Sequence, residues 1–143
     1  MSAKGIRDID VIRTFVLQGT LNFTRYFFKI RQKRKFVIGK HHREIAAALD
    51  KVLCGEITRL IINIAPRYGK TELAVKNFIA EGLAINPKAK FIHLSYSDDL
   101  ARDNSRGVQD IINEPEYRRI FPATIPTSTN TKTVSYTHLT LPT

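Results

Sequence analysis

Apolar positions in the first quarter of the chain recur at helical spacing. Ile9, Ile12 and Val16 form one set, Phe23, Phe27 and Ile30 another, and Gly19 separates them. This predicts two short helices between Asp8 and about Gln32, the second beginning at Leu21. From His41 to Cys54 the helical period returns through Ile45, Leu49, Val52 and Leu53 around Ala46, Ala47 and Ala48, and Gly55 follows as a C-terminal cap. The pattern then changes. Arg59 to Ala65 is a short run of β-branched and aliphatic residues, which predicts a strand buried on both faces. Helical spacing resumes from Thr71 to about Leu83 through Leu73, Val75, Phe78 and Ile79, until Asn86 and Pro87 stop it. Lys90 to Ser95, with Phe91, Ile92 and Leu94, predicts a second strand. Ser97, Asp98 and Asp99 then supply an N-cap and acidic first turn for a helix to about Ile112, and Glu114-Pro115 opens a short turn ending near Phe121-Pro122.

The order from Arg59 is strand, loop, helix, strand, helix. Such alternation implies right-handed crossovers and an α/β fold, a parallel sheet with flanking helices. The chain divides on this reading into a helical basic segment over 1–35, an α/β domain over 36–122 and a tail over 123–143. The tail is rich in Thr, Ser and Pro, and no element fits it. Its last ten residues, Val134 to Thr143, look like translated sequencing-adapter read-through. The tail is therefore expected to be disordered or artefactual, and the domain incomplete at its carboxyl end.

At 143 residues the chain suits one domain with a core of its own. Lys and Arg number 23 against 13 Asp and Glu, a formal charge of +10, which points to a polyanionic partner, nucleic acid first. The excess is local: Val11 to Arg43 holds nine Lys or Arg and no carboxylate. There Arg25, Lys29 and Arg31 alternate with Phe23, Tyr26, Phe27 and Phe28 and lead into Lys33, Arg34 and Lys35. Two readings fit, a nucleic-acid surface with stacking rings or an amphipathic helix with buried rings and a solvated basic face. The single cysteine, Cys54, excludes an internal disulfide and offers no metal-ligand cluster; it reads as a small buried residue in a reducing compartment. No stretch approaches the roughly 18 apolar residues of a membrane span, and the first residues lack a signal-peptide core. A cytoplasmic protein without a membrane partner is expected.

Candidate chemistry lies between the first predicted strand and the helix after it, in Pro66-Arg67-Tyr68-Gly69-Lys70-Thr71-Glu72. A phosphate-binding loop needs a glycine so that the backbone can approach the ligand, amides at a helix start, a lysine that reaches the β- and γ-phosphates, and a hydroxyl for Mg²⁺. Gly69, Lys70 and Thr71 supply these. The first glycine of the full Gly-x-x-x-x-Gly-Lys-[Ser/Thr] pattern is absent, because Ile64 stands in its place. The bland alternative is a turn with a solvated lysine. Arg67 has two readings as well: it faces phosphate charge developing during transfer, or it is a surface arginine paired with Glu72.

The run from Thr58 to Leu73 resembles the Walker A region of the large terminase subunits of tailed phages, whose usual form is Pro-Arg-x-Gly-Lys-[Ser/Thr]-Glu. Gly39 to Arg43, Phe91 to Leu100 and Pro115 to Phe121-Pro122 follow the same family in order. The resemblance implies a P-loop NTPase fold that binds ATP and Mg²⁺ through Pro66 to Glu72, with Lys70 and Arg67 as catalytic residues and Thr71 as the Mg²⁺ ligand. It places His41 and His42 in a nucleotide-proximal segment, for which a solvated or helix-terminal role is the alternative. Ser95, Tyr96 and Ser97 would sense nucleotide or DNA, or Ser97 would cap its helix. The implied partners are double-stranded DNA, further copies in a ring on a portal, and a small terminase subunit, in the host cytoplasm. One departure limits the activity. After the loop there is no apolar run ending in Asp-Glu, so the Walker B acids are missing, as is the nuclease cluster of the family; nucleotide binding without hydrolysis is expected. The rivals are another nucleic-acid-dependent ATPase of helicase type and a non-enzymatic basic nucleic-acid-binding fragment.

Overall fold

The computed structural model describes residues 3–124; the tail lies outside them from residue 125 onward. Among the described residues there are six α-helices: α1 (Ala3–Val16), α2 (Thr20–Gln32), α3 (Lys40–Leu53), α4 (Phe78–Ile85), α5 (Asp98–Asn113) and α6 (Pro115–Ile120). A π-helical turn, Glu72–Asn77, runs directly into α4, and a short 3-10 turn, Pro122–Thr124, follows α6.

The apolar face of α2 is the centre of packing. Phe23 and Phe27, four residues apart and so on one face, are both buried, with ring centroids 4.6 Å apart. Tyr117 of α6 closes on them at 6.3 and 5.4 Å, and Phe121 packs tilted against it at 5.1 Å. Val16 of α1, Ala80 of α4 and Val108, Ile111 and Ile112 of α5 complete the cluster. The hydroxyl of Tyr117, taken into the interior, must find an acceptor; it donates to the carbonyl of Ala80 at 2.8 Å. Arg25, Lys29, Lys33, Arg34 and Lys35 stay exposed. In the basic-aromatic stretch Phe23 and Phe27 are buried and Tyr26 and Phe28 half-buried, so the cations, not the rings, form the exposed face.

No strand forms among the described residues, so the expected parallel sheet, and with it the α/β P-loop NTPase fold, is overturned: the chain is helical. Arg59–Ala65 and Lys90–Tyr96 run as irregular chain, without backbone hydrogen bonds among the described residues. Ile61 is 85% and Ile92 88% exposed, the opposite of strands covered on both faces. The physical reason is pairing. An apolar β-branched run has the side chains a strand needs, but a parallel strand also needs neighbours on its hydrogen-bonding edges and cover on both faces, and these two runs do not supply that to each other. The second run is held at its ends: Phe91 lies on Gly82 of α4, where a Cβ would come within 2.4 Å of the ring. His93 shares a 3.1 Å hydrogen bond with the buried Asn104 amide of α5. Two smaller expectations also change. Glu114-Pro115 opens a helix rather than a turn, and Cys54 is exposed because it stands beyond the last turn of α3, where no element covers it.

Candidate functional site

The loop Pro66–Glu72 leads into the long helical stretch that ends at Ile85. Its backbone takes two left-handed residues, Arg67 (φ 67°) and Gly69 (φ 73°), on either side of Tyr68. The left-handed region is open to glycine and costly for arginine, so the turn is held by something other than local preference. The carbonyl of Gly69 accepts the amide of Leu73 at 3.0 Å and thereby starts the helix. The amides of Lys70, Thr71 and Glu72 are the donors that a helix start leaves without an intrahelical partner, and no side-chain cap covers them. They stand at the positive end of the helix dipole.

Two helices brace this loop from beneath. From α3, His42 is only 6% exposed and binds the Tyr68 carbonyl through Nε2 at 2.8 Å. Its Nδ1 accepts the amide of Gly39 at 2.9 Å. That is the reach-back half of a capping box, made by the side chain of the third helical residue. With Nδ1 an acceptor, a neutral His42 carries its proton on Nε2 and donates to Tyr68, an assignment set by the hydrogen-bond network. His41 lies alongside, Nε2 to Nε2 at 3.2 Å, and the ring of Tyr68 meets His41 edge-on at 5.5 Å. Phe36 packs edge-on against His42 at 4.9 Å. Burial lowers the His42 pKa, partly opposed by the bond to Tyr68, and the neighbouring His41 lowers it further.

From α2, Arg31 donates to the Glu72 carboxylate at 2.9 Å. Asn77 donates to the carbonyl and the carboxylate of Glu72, at 2.7 and 3.1 Å, across the π-helical turn. Such turns are uncommon and cluster at functional sites. Here the turn brings both Leu73 and Asn77 inward.

The predicted site residues therefore fall into two groups. Arg67, Lys70 and Thr71 make no ion pair or side-chain hydrogen bond among the described residues, and Tyr68 is 53% exposed. These groups are free to meet a ligand. Glu72 is occupied: its partners are Arg31 and, at 3.8 Å, Lys76, so the pairing of Arg67 with Glu72 is not the one formed. Ser95, Tyr96 and Ser97 do not terminate a strand and make no side-chain hydrogen bond, ion pair or ring contact with the loop among the described residues; Ser97 occupies the N-cap of α5 without a side-chain bond. Sequence reasoning missed Arg31 and Phe36 as supports of the loop. The role of His42 had a signal, since Gly39 and His42 have the spacing of N-cap and third helical residue.

Chemically, the loop offers unpaired amides, one lysine, one arginine and one hydroxyl on a single turn, the complement of a phosphate group. No family model, curated protein or solved structure matches this chain. Among the described residues no helix is long and apolar enough to cross a membrane, and no group of three His, Cys, Asp or Glu side chains could hold a metal.

Proposed function

We propose that this chain binds the triphosphate of ATP at Pro66–Glu72, in the setting that its motif order suggests, a subunit of a motor that packages viral DNA. The supporting observation is the turn at Arg67 and Gly69, which delivers the free amides of Lys70, Thr71 and Glu72 to one end of a helix. In this reading the amides and the helix dipole receive the phosphate oxygens. The Lys70 ammonium reaches the outer phosphates as a point charge, and the Arg67 guanidinium spans two oxygens. Magnesium ordinarily keeps several waters and takes few protein ligands beside substrate phosphates. The exposed Thr71 hydroxyl fits one such position, so the proposed ion arrives with the nucleotide. When bound it would neutralise phosphate charge.

Nothing in this proposal calls on a sheet. The wider role, with double-stranded DNA, a portal and a small subunit as partners, rests on the resemblance of the residues alone. A titration of fluorescent ATP with and without Mg²⁺ tests the nucleotide reading. Lys70→Ala is expected to weaken Mg-dependent binding by about tenfold or more, equivalent to about 1.4 kcal/mol. Equal, weak binding by both proteins removes the reading.

A second reading has its own observation. Arg25, Lys29, Lys33, Arg34 and Lys35 are exposed along and beyond α2, and the Arg34 guanidinium lies 5.7 Å from the Phe28 ring centroid. A basic face of this kind suits a nucleic-acid backbone, and its binding should weaken steeply with salt. Retained DNA affinity in a Lys70→Ala protein that never bound ATP would favour it.

A further inference from the structure

We propose that His42 is the positioning residue of the phosphate-binding loop: its neutral imidazole, protonated on Nε2, clamps the Tyr68 carbonyl to the start of α3 and so aims the Gly69 amide away from α3, into the open side of the turn. This rests on the nucleotide reading of the same loop, and deepens it.

A trans peptide fixes the argument. The Tyr68 carbonyl and the Gly69 amide belong to one planar unit and point in opposite directions. Holding that carbonyl at 2.8 Å from His42 Nε2 sets the direction of the Gly69 amide, which has no backbone partner of its own among the described residues. The imidazole is held in place, because its other nitrogen accepts the Gly39 amide at 2.9 Å and Phe36 packs against the ring in a T-shaped contact. The clamp is also tight from the loop side. A Cβ on Gly69 would come within 2.9 Å of His42 Nε2 and 3.4 Å of Phe36, at a φ that side chains already disfavour. His42, together with the positive φ, thus accounts for the absence of a side chain before Lys70.

A second proton on His42 would occupy Nδ1 and turn an acceptor against the Gly39 amide. The latch is therefore built for the neutral ring. The titratable groups that face it are His41, Nε2 to Nε2 at 3.2 Å on its own helix, and from the loop Tyr68, whose ring meets His41.

Long-range ¹⁵N–¹H correlation on the full chain reads the tautomer directly, and a protonated Nε2 with a bare Nδ1 is expected near neutral pH. Mg-ATP titration then compares His42→Ala with His42→Gln, whose amide can still donate toward Tyr68. His42→Ala is expected to bind about tenfold more weakly, the scale of one lost buried hydrogen bond, and His42→Gln to recover most of the loss. As pH falls below that of an ordinary histidine, wild-type affinity should drop more than that of His42→Gln, which serves as the control for titration of ATP itself. Amide exchange at Tyr68 to Lys70 should quicken in His42→Ala. A proton on Nδ1, or exchange at the loop unchanged in both variants, overturns the latch. Failure of the wild type to bind Mg-ATP instead overturns the nucleotide reading, and the tautomer and exchange results still decide the latch.

Discussion

Arg31 of α2 and Glu72, the last residue of the loop, meet at 2.9 Å with side chains only 11% and 16% exposed. The contact joins the helix at the centre of the core to the first turn after the candidate site. It is imperfect, since the other terminal nitrogen of Arg31 is buried without a hydrogen-bond partner among the described residues. Such a group carries a desolvation cost that a single ion pair does not fully offset.

The pair should therefore show coupling rather than simple additivity. Arg31→Met is expected to destabilise the chain by about 2 kcal/mol, because Glu72 keeps only the more distant Lys76 as a cation. Glu72→Gln should cost a similar amount by leaving Arg31 buried and unpaired. The double variant should cost less than the two together by about 1 kcal/mol or more. Urea unfolding of the four proteins checks this, and strictly additive costs would show that the ion pair contributes nothing to the fold.

A second relationship governs how stability follows pH. The Thr20 hydroxyl and amide both lie 2.8 Å from the Asp50 carboxylate, and Thr20 also meets the buried carboxyl of Glu81. Burial, with Asp50 adding to it and the Thr20 contact opposing, pushes the Glu81 pKa up to about 7, and one Glu81 oxygen has no hydrogen-bond partner among the described residues. A carboxyl with a raised folded pKa holds more protons folded than unfolded. Its stability contribution is full below the ordinary glutamate range and is lost as pH rises toward 7. Each pH unit in that window costs about 1.4 kcal/mol at most, about 3 kcal/mol in all. Glu81→Gln should flatten this slope and be the more stable protein at mildly alkaline pH. Parallel pH profiles for the two proteins would mean that Glu81 is already charged in the fold.

How far the sequence foretold these features depended on whether the signal was local. The helical period set by Phe23 and Phe27, the break at Gly19 and the stop at Asn86-Pro87 each act within a few residues, and each lies where the pattern put it. That Gly69 has a backbone task was legible for the same reason, since it precedes Lys-Thr at a helix start, although its left-handed conformation was not foretold. Arg59–Ala65 was legible only as composition. Whether it pairs depends on distant segments, and periodicity carries no information about them. Arg31 and Phe36 were hidden similarly: their roles come from α2 and the segment after it folding back beneath the loop, whereas His42 left a local trace in its spacing from Gly39. The π-helical turn at Glu72–Asn77 leaves no period of its own in so short a stretch.

The irregular runs leave a further mark, an apolar surface that water must cover. Val37, Ile61, Ile92, Leu94 and Tyr96 are all strongly exposed, and the runs 59–65 and 90–96 carry backbone donors and acceptors without backbone partners among the described residues. Apolar side chains beside unpaired backbone are the conditions under which chains adhere to one another. The chain should therefore self-associate as concentration rises and should bind a dye such as ANS while its helical circular dichroism is intact. Ile61→Thr with Ile92→Lys should lower both the dye signal and the sedimentation coefficient at high concentration, with little cost to stability because both side chains are already in water. Were the wild type to sediment as a strict monomer without dye binding, Ile61 and Ile92 would have to be covered in solution, and the irregular runs would need a different packing from the one described.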